Sequence, residues 1–297
     1  MNKMIRTMTA IALTLSAGVV QSRSGVVLAG ESEQKSQYVY KTIGDRELKV
    51  DILYPDDWKS TDRRAAIVFF SGGAWRSGGT GQFAPQAGYF AQRGLVTVRA
   101  EYRDSTKDKV KPDTCLQDAI SAMRWVRKNV DKLGIDPGRI VSSGGSAGGY
   151  LAAAVATIDA YCSPDDDLSI SPKPNATVLF NPVLDFVSLD LASRFGLDPE
   201  LAAQISPLQH VDGDLPPTLI LIGSEDRFLD QNREFMSKAK ELGVRIEMDL
   251  AKGQPHAYFN RSPWMEKTVL SADSFLVSLG YLAEEPPVEL PSSEQPR

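Results

Sequence analysis

The sequence lacks several features that would assign it to large classes of protein. No long run of lysine or arginine occurs and the formal net charge is −5, so the electrostatic signature of a nucleic-acid-binding protein is missing. No internal repeat with the period of a solenoid or a propeller is present. Beyond the N-terminus no apolar stretch is long enough to span a membrane, so we expect a soluble mature protein without membrane or nucleic-acid partners.

Cysteine is scarce as well, with only two residues in a chain of 297. Cys115 lies at the start of one predicted helix, and Cys162 lies just past the end of another. Both helices follow strands of one parallel sheet and run in the same direction, so these opposite ends should lie roughly 20 Å apart. That separation exceeds the reach of a disulfide, and the sequence predicts two unpaired thiols.

The remaining composition is that of an ordinary globular protein. Hydrophobic residues make up 42% of the chain and charged residues 24%, which argues against wholesale disorder. A length of 297 residues is sufficient for one large α/β domain with a sizeable core.

The first 29 residues have the pattern of a secretory signal peptide. Lys3 and Arg6 form a basic segment, residues 9–20 are apolar but too few to span a bilayer comfortably, and small or apolar residues lead up to Ala29. We expect cleavage after Ala29, a polar linker over residues 30–37, and a secreted or periplasmic mature protein.

Strand and helix patterns alternate along the rest of the chain. Strand patterns cover residues 38–43, 48–54, 65–70, 95–98, a stretch from residue 140, and residues 176–180, 218–222 and 244–250. Helix patterns cover residues 83–92, 113–130, 150–157, 231–242 and 263–282. The alternation predicts an α/β domain over residues 38–283, with a mostly parallel sheet, an N-terminal antiparallel hairpin and helices on both faces.

Two segments do not follow this alternation. Residues 184–209 are irregular to helical, and an insertion at this place could form a lid over a substrate. Residues 284–297 are rich in proline, glutamate and serine, and we expect this tail to be disordered.

The most informative stretch runs from Gly144 to Gly148, where an apolar strand pattern meets a helix pattern of small residues. Ser146 stands at the apex of this turn, with glycines two residues before and two residues after it. The arrangement is typical of a nucleophile elbow, in which a side chain at either glycine position would collide with neighbouring backbone. Ser146 is therefore the candidate nucleophile, and it requires a base, an acid and an oxyanion hole.

The chain offers two histidines as the base, His210 and His256. His256 follows the last predicted strand, in a loop that Gly253 and Pro255 can hold in a fixed conformation. His210 precedes the penultimate strand, which is the wrong position for the order serine, acid, histidine. We therefore assign the base to His256 and a structural role to His210, such as bonding to loop carbonyls.

Several carboxylates could serve as the acid. Glu225, Asp226 and Asp230 follow the strand at 218–222, and Asp185 follows the preceding strand. Asp226 is favoured because it comes three residues after the glycine that ends the strand, whereas Glu225 should point the other way.

The oxyanion hole needs free backbone amides beside the nucleophile. Ala147 should supply one of them from the start of the helix, and the glycine-rich loop Ser71–Trp75 should supply the others. Trp75 and Tyr102 are expected to flank the cleft as substrate-binding residues, Trp75 either as a sugar-stacking platform or as a packing residue. The acidic run 165–167 is interpreted as a solvated loop, so no metal or other cofactor is expected.

A set of motifs together resembles the α/β-hydrolase esterases, in particular the hormone-sensitive-lipase-like and the acetyl-xylan and feruloyl esterase-like (BD-FAE-type) groups. The motifs lie at residues 144–149, 71–75, 101–103, 181–182, 216–218, 223–226 and 254–260, and the resemblance covers about residues 38–282. It implies an α/β-hydrolase fold with Ser146 as nucleophile, Asp226 as acid and His256 as base. It also implies oxyanion amides at Gly73, Ala74 and Ala147, with Gly72 shaping the loop.

The oxyanion loop departs from this family at its first residue, where Ser71 replaces the usual histidine. Because backbone amides form the hole, we expect activity to survive with a loop that is held differently. Together with the signal pattern at the N-terminus, the resemblance implies a secreted carboxylesterase for short-chain acyl (acetyl) or aromatic acyl esters of small molecules or polysaccharide. Two alternatives stay open, namely a peptidase or amidase of the prolyl-oligopeptidase type and a catalytically silent hydrolase-fold binding protein.

Overall fold

The computed structural model of the protein describes residues 35–284. The signal peptide predicted over residues 1–29, much of the linker and nearly all of the predicted tail lie outside the described residues. Within residues 35–284, eight strands form one sheet: β1 (Lys35–Ile43), β2 (Arg46–Leu53), β3 (Arg64–Phe70), β4 (Val96–Ala100), β5 (Ile135–Gly145), β6 (Ala176–Phe180), β7 (Thr218–Gly223) and β8 (Ile246–Ala251).

The strands follow the order β1-β2-β4-β3-β5-β6-β7-β8. β1 and β2 form the predicted antiparallel hairpin around Gly44, and β2 also pairs antiparallel with β4. From β4 onward all neighbouring strands are parallel. The carboxyl ends of β3, β5, β6, β7 and β8 therefore meet at one edge of the sheet, where ligands bind in folds of this class.

Eight α-helices lie within the described range: α1 (Ala84–Gln92), α2 (Pro112–Lys128), α3 (Val130–Leu133), α4 (Ala147–Thr157), α5 (Leu191–Arg194), α6 (Pro199–Gln204), α7 (Leu229–Glu241) and α8 (Trp264–Ser278). α2 illustrates why these segments are helical. It begins with Pro112, has Asp113 in its first turn and has Arg127 and Lys128 in its last, an arrangement that complements the helix dipole. No helix in this part of the chain is long and apolar enough to cross a membrane.

The helices cover both faces of the sheet. Val68 and Phe70 of β3 pack in the core shared with α2, α4 and α7, whereas Ile67 and Phe69 pack in the core shared with α1 and α8. Because both faces of a parallel sheet are buried, its strands are apolar at successive positions. The predicted fold class is thus confirmed, and the element bounds differ from the predicted ones by a few residues.

The largest difference from the predicted elements is at the start of β5, where pairing with β3 begins at Ile135 instead of residue 140. The residues between Ile135 and Ile140 form an irregularity inside the strand, where the register shifts between Arg64 and Ala66 of β3. Such bulges insert extra residues into one strand without ending its pairing. Cys115 and Cys162 are both free thiols, as the sequence predicts.

The segment at residues 184–209 contains α5, α6 and two short 3-10 turns, Ser188–Asp190 and Pro207–His210. Its apolar side chains Phe186, Phe195 and Ile205 pack onto the core around α4. Val187 and Leu189 instead face solvent, with 56% and 55% of their surface exposed. The segment is therefore a packed cover on one face of the domain.

Candidate active site

Ser146 stands between β5 and α4 in a backbone conformation that few non-glycine residues adopt, with φ 53° and ψ −114°. Its amide donates to the carbonyl of Phe180 (2.9 Å), which fixes the turn against β6. A Cβ at Gly148 would lie 1.9 Å from the carbonyl oxygen of Phe70, so only glycine fits where α4 meets the end of β3. This tight contact brings Ser146 next to the loop that follows β3.

Ser146, His256 and Asp226 form a continuous hydrogen-bonded chain. Nε2 of His256 is 2.8 Å from Oγ of Ser146, and Nδ1 of His256 is 2.7 Å from Oδ2 of Asp226. A carboxylate can only accept, so Nδ1 carries the proton and Nε2 is left to accept from the serine hydroxyl. The structure thus brings together the three residues that the sequence singled out, in the geometry of a nucleophile, a base and an orienting acid.

The carboxylate of Asp226 is buried, with its side chain 0% exposed, and it is surrounded by donors. Oδ2 accepts from Nδ2 of Asn181 (3.0 Å) as well as from His256, and Oδ1 accepts from the amide of Phe228 (2.9 Å). These hydrogen bonds hold the carboxylate in one orientation, with Oδ2 facing His256. In the sequence Asn181 belongs only to the motif at residues 181–182, and nothing in that pattern indicates that its side chain contacts Asp226.

The loop that carries His256 packs directly on the loop that carries Asp226. A Cβ at Gly223 would lie 2.0 Å from the carbonyl oxygen of Gln254, and this same oxygen accepts from the amide of Glu225 (3.0 Å). The ring of Phe228 contacts the imidazole of His256 edge-on, with 5.2 Å between ring centroids. These contacts hold the imidazole in one orientation.

Three free amides lie in the two segments predicted to form the oxyanion hole. In the part of the chain that the structure describes, the amides of Gly73, Ala74 and Ala147 donate to no protein acceptor. Gly73 has φ 120° and Ala74 has φ 54°, both in the left-handed region. Ala147 begins α4, so its amide lies at the positive end of that helix dipole. Unpaired amides beside a nucleophile can bind a developing negative charge.

The departure at Ser71 has a structural counterpart. The Ser71 hydroxyl donates to the carbonyl of Gly79 (2.5 Å), and the Ser71 carbonyl accepts from the hydroxyl of Tyr102 (2.6 Å). Ser71 therefore closes the loop onto itself, and Tyr102 supports it from behind. Burial, followed by the nearby Cys115 and Asp104, raises the pKa of Tyr102 well above its ordinary value.

Trp75 and Tyr102 do not occupy the places expected of substrate-binding residues. Trp75 is 2% exposed and Tyr102 is 0% exposed. The indole of Trp75 packs among Tyr150, Phe186 and Phe195, with ring centroids 4.8–5.4 Å away. The reason is the segment at residues 184–209, which covers Trp75 and has no regular pattern from which this contact could be foreseen. The sequence leaves open whether Trp75 is a sugar-stacking platform or a packing residue, and its burial among these rings matches the packing role.

The other candidates considered for the base and the acid lie elsewhere. Nε2 of His210 is 2.8 Å from the carbonyl oxygen of Gln204, which is the structural role expected for it. Asp185 accepts from the amides of Val187 and Ser188. Asp230 is exposed and lies 3.4 Å from Arg233. No group of three or more histidine, cysteine or acidic side chains within residues 35–284 is placed to hold a metal ion.

Gln82 contacts both loops of the site, although no sequence pattern pointed to it. Its Oε1 accepts from the amide of Gly72 (2.5 Å), and its Nε2 donates to Oδ1 of Asn260 (3.0 Å). A cavity also adjoins the histidine loop and is lined by His256, Tyr258, Asn260 and Trp264, among others. The site therefore has polar support at the loop after β3 and open space on the side of His256.

Several known proteins resemble this chain in sequence. The BD-FAE family model matches residues 50–238. Probable carboxylic ester hydrolase LipM of Mycobacterium tuberculosis is 29% identical over 213 residues, covering 65% of this chain and 49% of the relative. Carboxylesterase NlhH of the same species is 27% identical, covering 67% of this chain and 68% of the relative. The chain spans about half the length of the first of these curated relatives.

Solved structures resemble the whole domain more closely. Esterase 2 of Thermogutta terrifontis, in a form phosphoramylated by tabun, superposes with a TM-score of 0.80 at 41% identity, covering 84% of this chain and 97% of that chain. A propionate-bound form of the same esterase superposes with a TM-score of 0.79, covering 85% of this chain and 97% of that one. These neighbours are α/β-hydrolase esterases, and the fold described above is theirs.

Proposed function

The chain belongs to the BD-FAE family, and we propose that it is a serine carboxylesterase acting on short-chain or aromatic acyl esters. One observation carries the proposal: Ser146, His256 and Asp226 are joined by hydrogen bonds of 2.8 and 2.7 Å beside unpaired backbone amides. Relatives named as carboxylic ester hydrolases and solved structures named as esterases support the same reaction.

In the proposed first half-reaction His256 takes the proton of Ser146 while Oγ attacks the ester carbonyl. The new tetrahedral oxyanion is held by the amides of Gly73, Ala74 and Ala147. When the C–O bond to the alcohol breaks, the alcohol leaves with the proton from Nε2 of His256. Between these two proton transfers, the carboxylate of Asp226 stabilises the imidazolium of His256.

The second half-reaction releases the acid. Water loses its proton to His256 and attacks the acyl carbonyl, and Ser146 regains a proton as the acyl bond breaks. The products are a carboxylic acid, an alcohol and the free enzyme.

We propose that the alcohol half of the substrate lies on the side of His256, because the leaving oxygen must receive its proton there. The cavity beside His256 is lined by the buried Tyr258 and the partly exposed Trp264, with Gln254 and Arg261 as polar neighbours. Aromatic rings with polar neighbours suit the face and hydroxyls of a sugar, which supports a carbohydrate ester as one substrate class. The acyl half is proposed to be short, in keeping with the propionate-bound and butyrate-bound forms named for Thermogutta terrifontis esterase 2.

We also propose that the protein is exported, on the basis of the signal pattern over residues 1–29. Expression in a host with a secretory pathway, followed by N-terminal sequencing, tests this proposal. A mature N-terminus at Gly30 in the exported fraction is expected, and an intact Met1 in the cytoplasmic fraction would contradict it.

Two experiments test the proposed activity. A fluorophosphonate probe should label Ser146, as shown by peptide mapping, whereas a silent binding protein would stay unlabelled. A panel of short-chain nitrophenyl esters, acetylated xylan, feruloyl esters and aminoacyl amides should then show turnover of esters and little or none of the amides. Faster turnover of the amides would favour a peptidase instead.

Substitution of Trp264 tests the assignment of the alcohol side. Trp264→Ala should lower turnover of acetylated xylan more than turnover of ethyl acetate, which is too small to reach the indole. An equal loss of turnover on both substrates would show that the sugar does not contact Trp264.

A further inference from the structure

Gln82 connects two loops of the site that are distant in sequence. Its side-chain oxygen accepts from the amide of Gly72 (2.5 Å), and its side-chain nitrogen donates to Oδ1 of Asn260 (3.0 Å), a residue 178 positions further along the chain. One amide group therefore spans the gap between the loop after β3 and the loop after β8.

Each end of this connection lies next to a group that the proposed reaction needs. Gly72 directly precedes Gly73 and Ala74, whose amides are free. Nδ2 of Asn260 donates to the carbonyl of Ala257 (3.1 Å), the residue that follows His256. A displacement at either end would therefore move an oxyanion donor or the base.

Each donor meets an acceptor along the whole connection from Gly72 through Gln82 to Asn260. The Gly72 amide can only donate, so it fixes which end of the Gln82 amide is oxygen, and the nitrogen end must then donate to Asn260. Asn260 in turn accepts with its oxygen and donates with its nitrogen to a carbonyl. Hydrogen bonds in such a chain polarise one another in the same direction.

A second, apolar contact runs beside the polar one. Phe83, the neighbour of Gln82, stacks on Phe259, the neighbour of Asn260, with 5.7 Å between ring centroids and 17° between ring planes. Both phenylalanines are 1% exposed, whereas Gln82 is half-buried and Asn260 is exposed. The buried rings hold the two loops together. Loss of the amide contacts should therefore leave the fold intact and alter only the distance between the loop after β3 and the loop after β8.

We propose that Gln82 and Asn260 form a polar bridge that sets the position of the oxyanion loop relative to the His256 loop. Both are then positioning residues for ester hydrolysis, a role that rests on the proposed function. The bridge fits the departure at Ser71, because the hydroxyl of Ser71 is occupied by Gly79 and the next amide of the loop is held by Gln82 instead.

Steady-state kinetics of Gln82→Ala, Asn260→Ala and the double variant test the bridge. Misplacement of catalytic groups by an ångström or less lowers kcat, so each single variant should lose roughly 10- to 100-fold in kcat on nitrophenyl acetate with little change in KM. The double variant should be no slower than the slower single variant, because each substitution breaks the same connection. Gln117→Ala is the matched control, since Gln117 is a half-buried glutamine in the middle of α2, and its backbone carbonyl accepts from the hydroxyl of Ser121.

Amide hydrogen exchange gives a readout that does not depend on activity. Gln82→Ala should speed exchange in peptides from both loops, residues 71–79 and 254–260, while Gln117→Ala should change neither. Gln82→Glu keeps the oxygen that accepts from Gly72 but loses the nitrogen that donates to Asn260. Compared with Gln82→Ala, it should therefore restore slow exchange in residues 71–79 but not in residues 254–260.

Two results would overturn the bridge: wild-type kcat in Gln82→Ala, or losses in the two single variants that multiply in the double variant. If the wild-type protein hydrolysed no ester, the proposed function would fail and exchange would decide the bridge alone. Unchanged exchange at residues 254–260 in Gln82→Ala would then reject it.

Discussion

At the scale of single residues, the burial of Asp226 gives a sharp prediction for the acid. In Asp226→Asn the charge is lost, and an amide nitrogen would face donors from His256, Asn181 or Phe228. The imidazole would lose the partner that fixes its tautomer, and we expect kcat to fall by about 10⁴-fold with a small change in KM.

Glu225→Gln provides the control for this substitution. Glu225 is the neighbouring exposed carboxylate, and it should tolerate the change without loss of rate. Steady-state kinetics on nitrophenyl acetate measure both variants. A loss in Glu225→Gln as large as that in Asp226→Asn would contradict the assignment of the acid.

The two thiols should differ strongly in reactivity. Cys115 is 0% exposed, and burial, followed by the nearby Asp118, raises the pKa of its thiol well above the ordinary value. A raised pKa disfavours the thiolate, which is the reactive form, so Cys115 should resist a thiol reagent at pH 8. Cys162 is partly exposed and should react in the native protein.

A disulfide-exchange dye measures this difference. One thiol per chain should react under native conditions, and two should react in denaturant without added reductant. If none reacted in denaturant, the thiols would be joined in a disulfide.

Single residues of the site divide into those that a sequence pattern can reveal and those that it cannot. Ser146 stands in a strand–glycine–helix pattern, and His256 is one of only two histidines, so both could be identified before the structure was known. Asn181 and Gln82 act through side-chain amides on partners 45 and 10 positions away, and glutamine or asparagine in a loop carries no periodic signal. Their positions follow from the packing of loops that only the tertiary structure brings together.

At the scale of secondary structure elements, the glycines of the elbow and of α1 should respond in opposite ways to alanine. A Cβ at Gly148 would overlap the carbonyl of Phe70 at 1.9 Å, so Gly148→Ala must displace α4 or β3. We expect the free energy of unfolding to fall by about 3 kcal/mol, near the upper end for overpacking.

Gly88 of α1 is the matched position, because a Cβ there would meet nothing within 4 Å. Alanine is the better helix former, so Gly88→Ala should raise the free energy of unfolding by about 0.5–1 kcal/mol. Urea denaturation measures both variants. A Gly148→Ala protein as stable as Gly88→Ala would contradict the close contact between α4 and β3.

Elements with a regular pattern were predictable, and those without one were not. β3 and β6 are continuous apolar runs, and α2 has a proline start and a charged last turn, so their bounds were found to within two residues. The segment at residues 184–209 consists of helices of four to six residues and 3-10 turns. Phe186 of this segment packs against Trp75 and Tyr150, and no local sequence pattern reveals these contacts, so the burial of Trp75 does not follow from the sequence.

At the scale of the whole molecule, a buried ionic cluster ties the N-terminal hairpin to the rest of the sheet. Asp118 of α2 is 0% exposed and accepts from Nζ of Lys41 in β1 (2.8 Å) and from the guanidinium of Arg103 (2.8 and 2.9 Å). Asp118→Ala would leave two largely buried cations unpaired. We expect the free energy of unfolding to fall by about 3–5 kcal/mol, with a lower midpoint in urea.

Asp230→Ala is the comparison, because Asp230 is 95% exposed and pairs with Arg233 on the surface of α7. Exposed pairs contribute little, so the change in unfolding free energy should stay below about 1 kcal/mol. Equal losses in the two variants would show that the cluster around Asp118 has no special part in stability.

The central claim for the molecule is that Ser146 attacks an ester carbonyl with His256 as its base. Turnover of nitrophenyl acetate by the wild-type protein and by Ser146→Ala, both folded by circular dichroism, tests it most directly. We expect clear turnover by the wild type and a loss of roughly 10⁶-fold in the variant, to the uncatalysed background. Ester turnover by Ser146→Ala near the wild-type rate would contradict it.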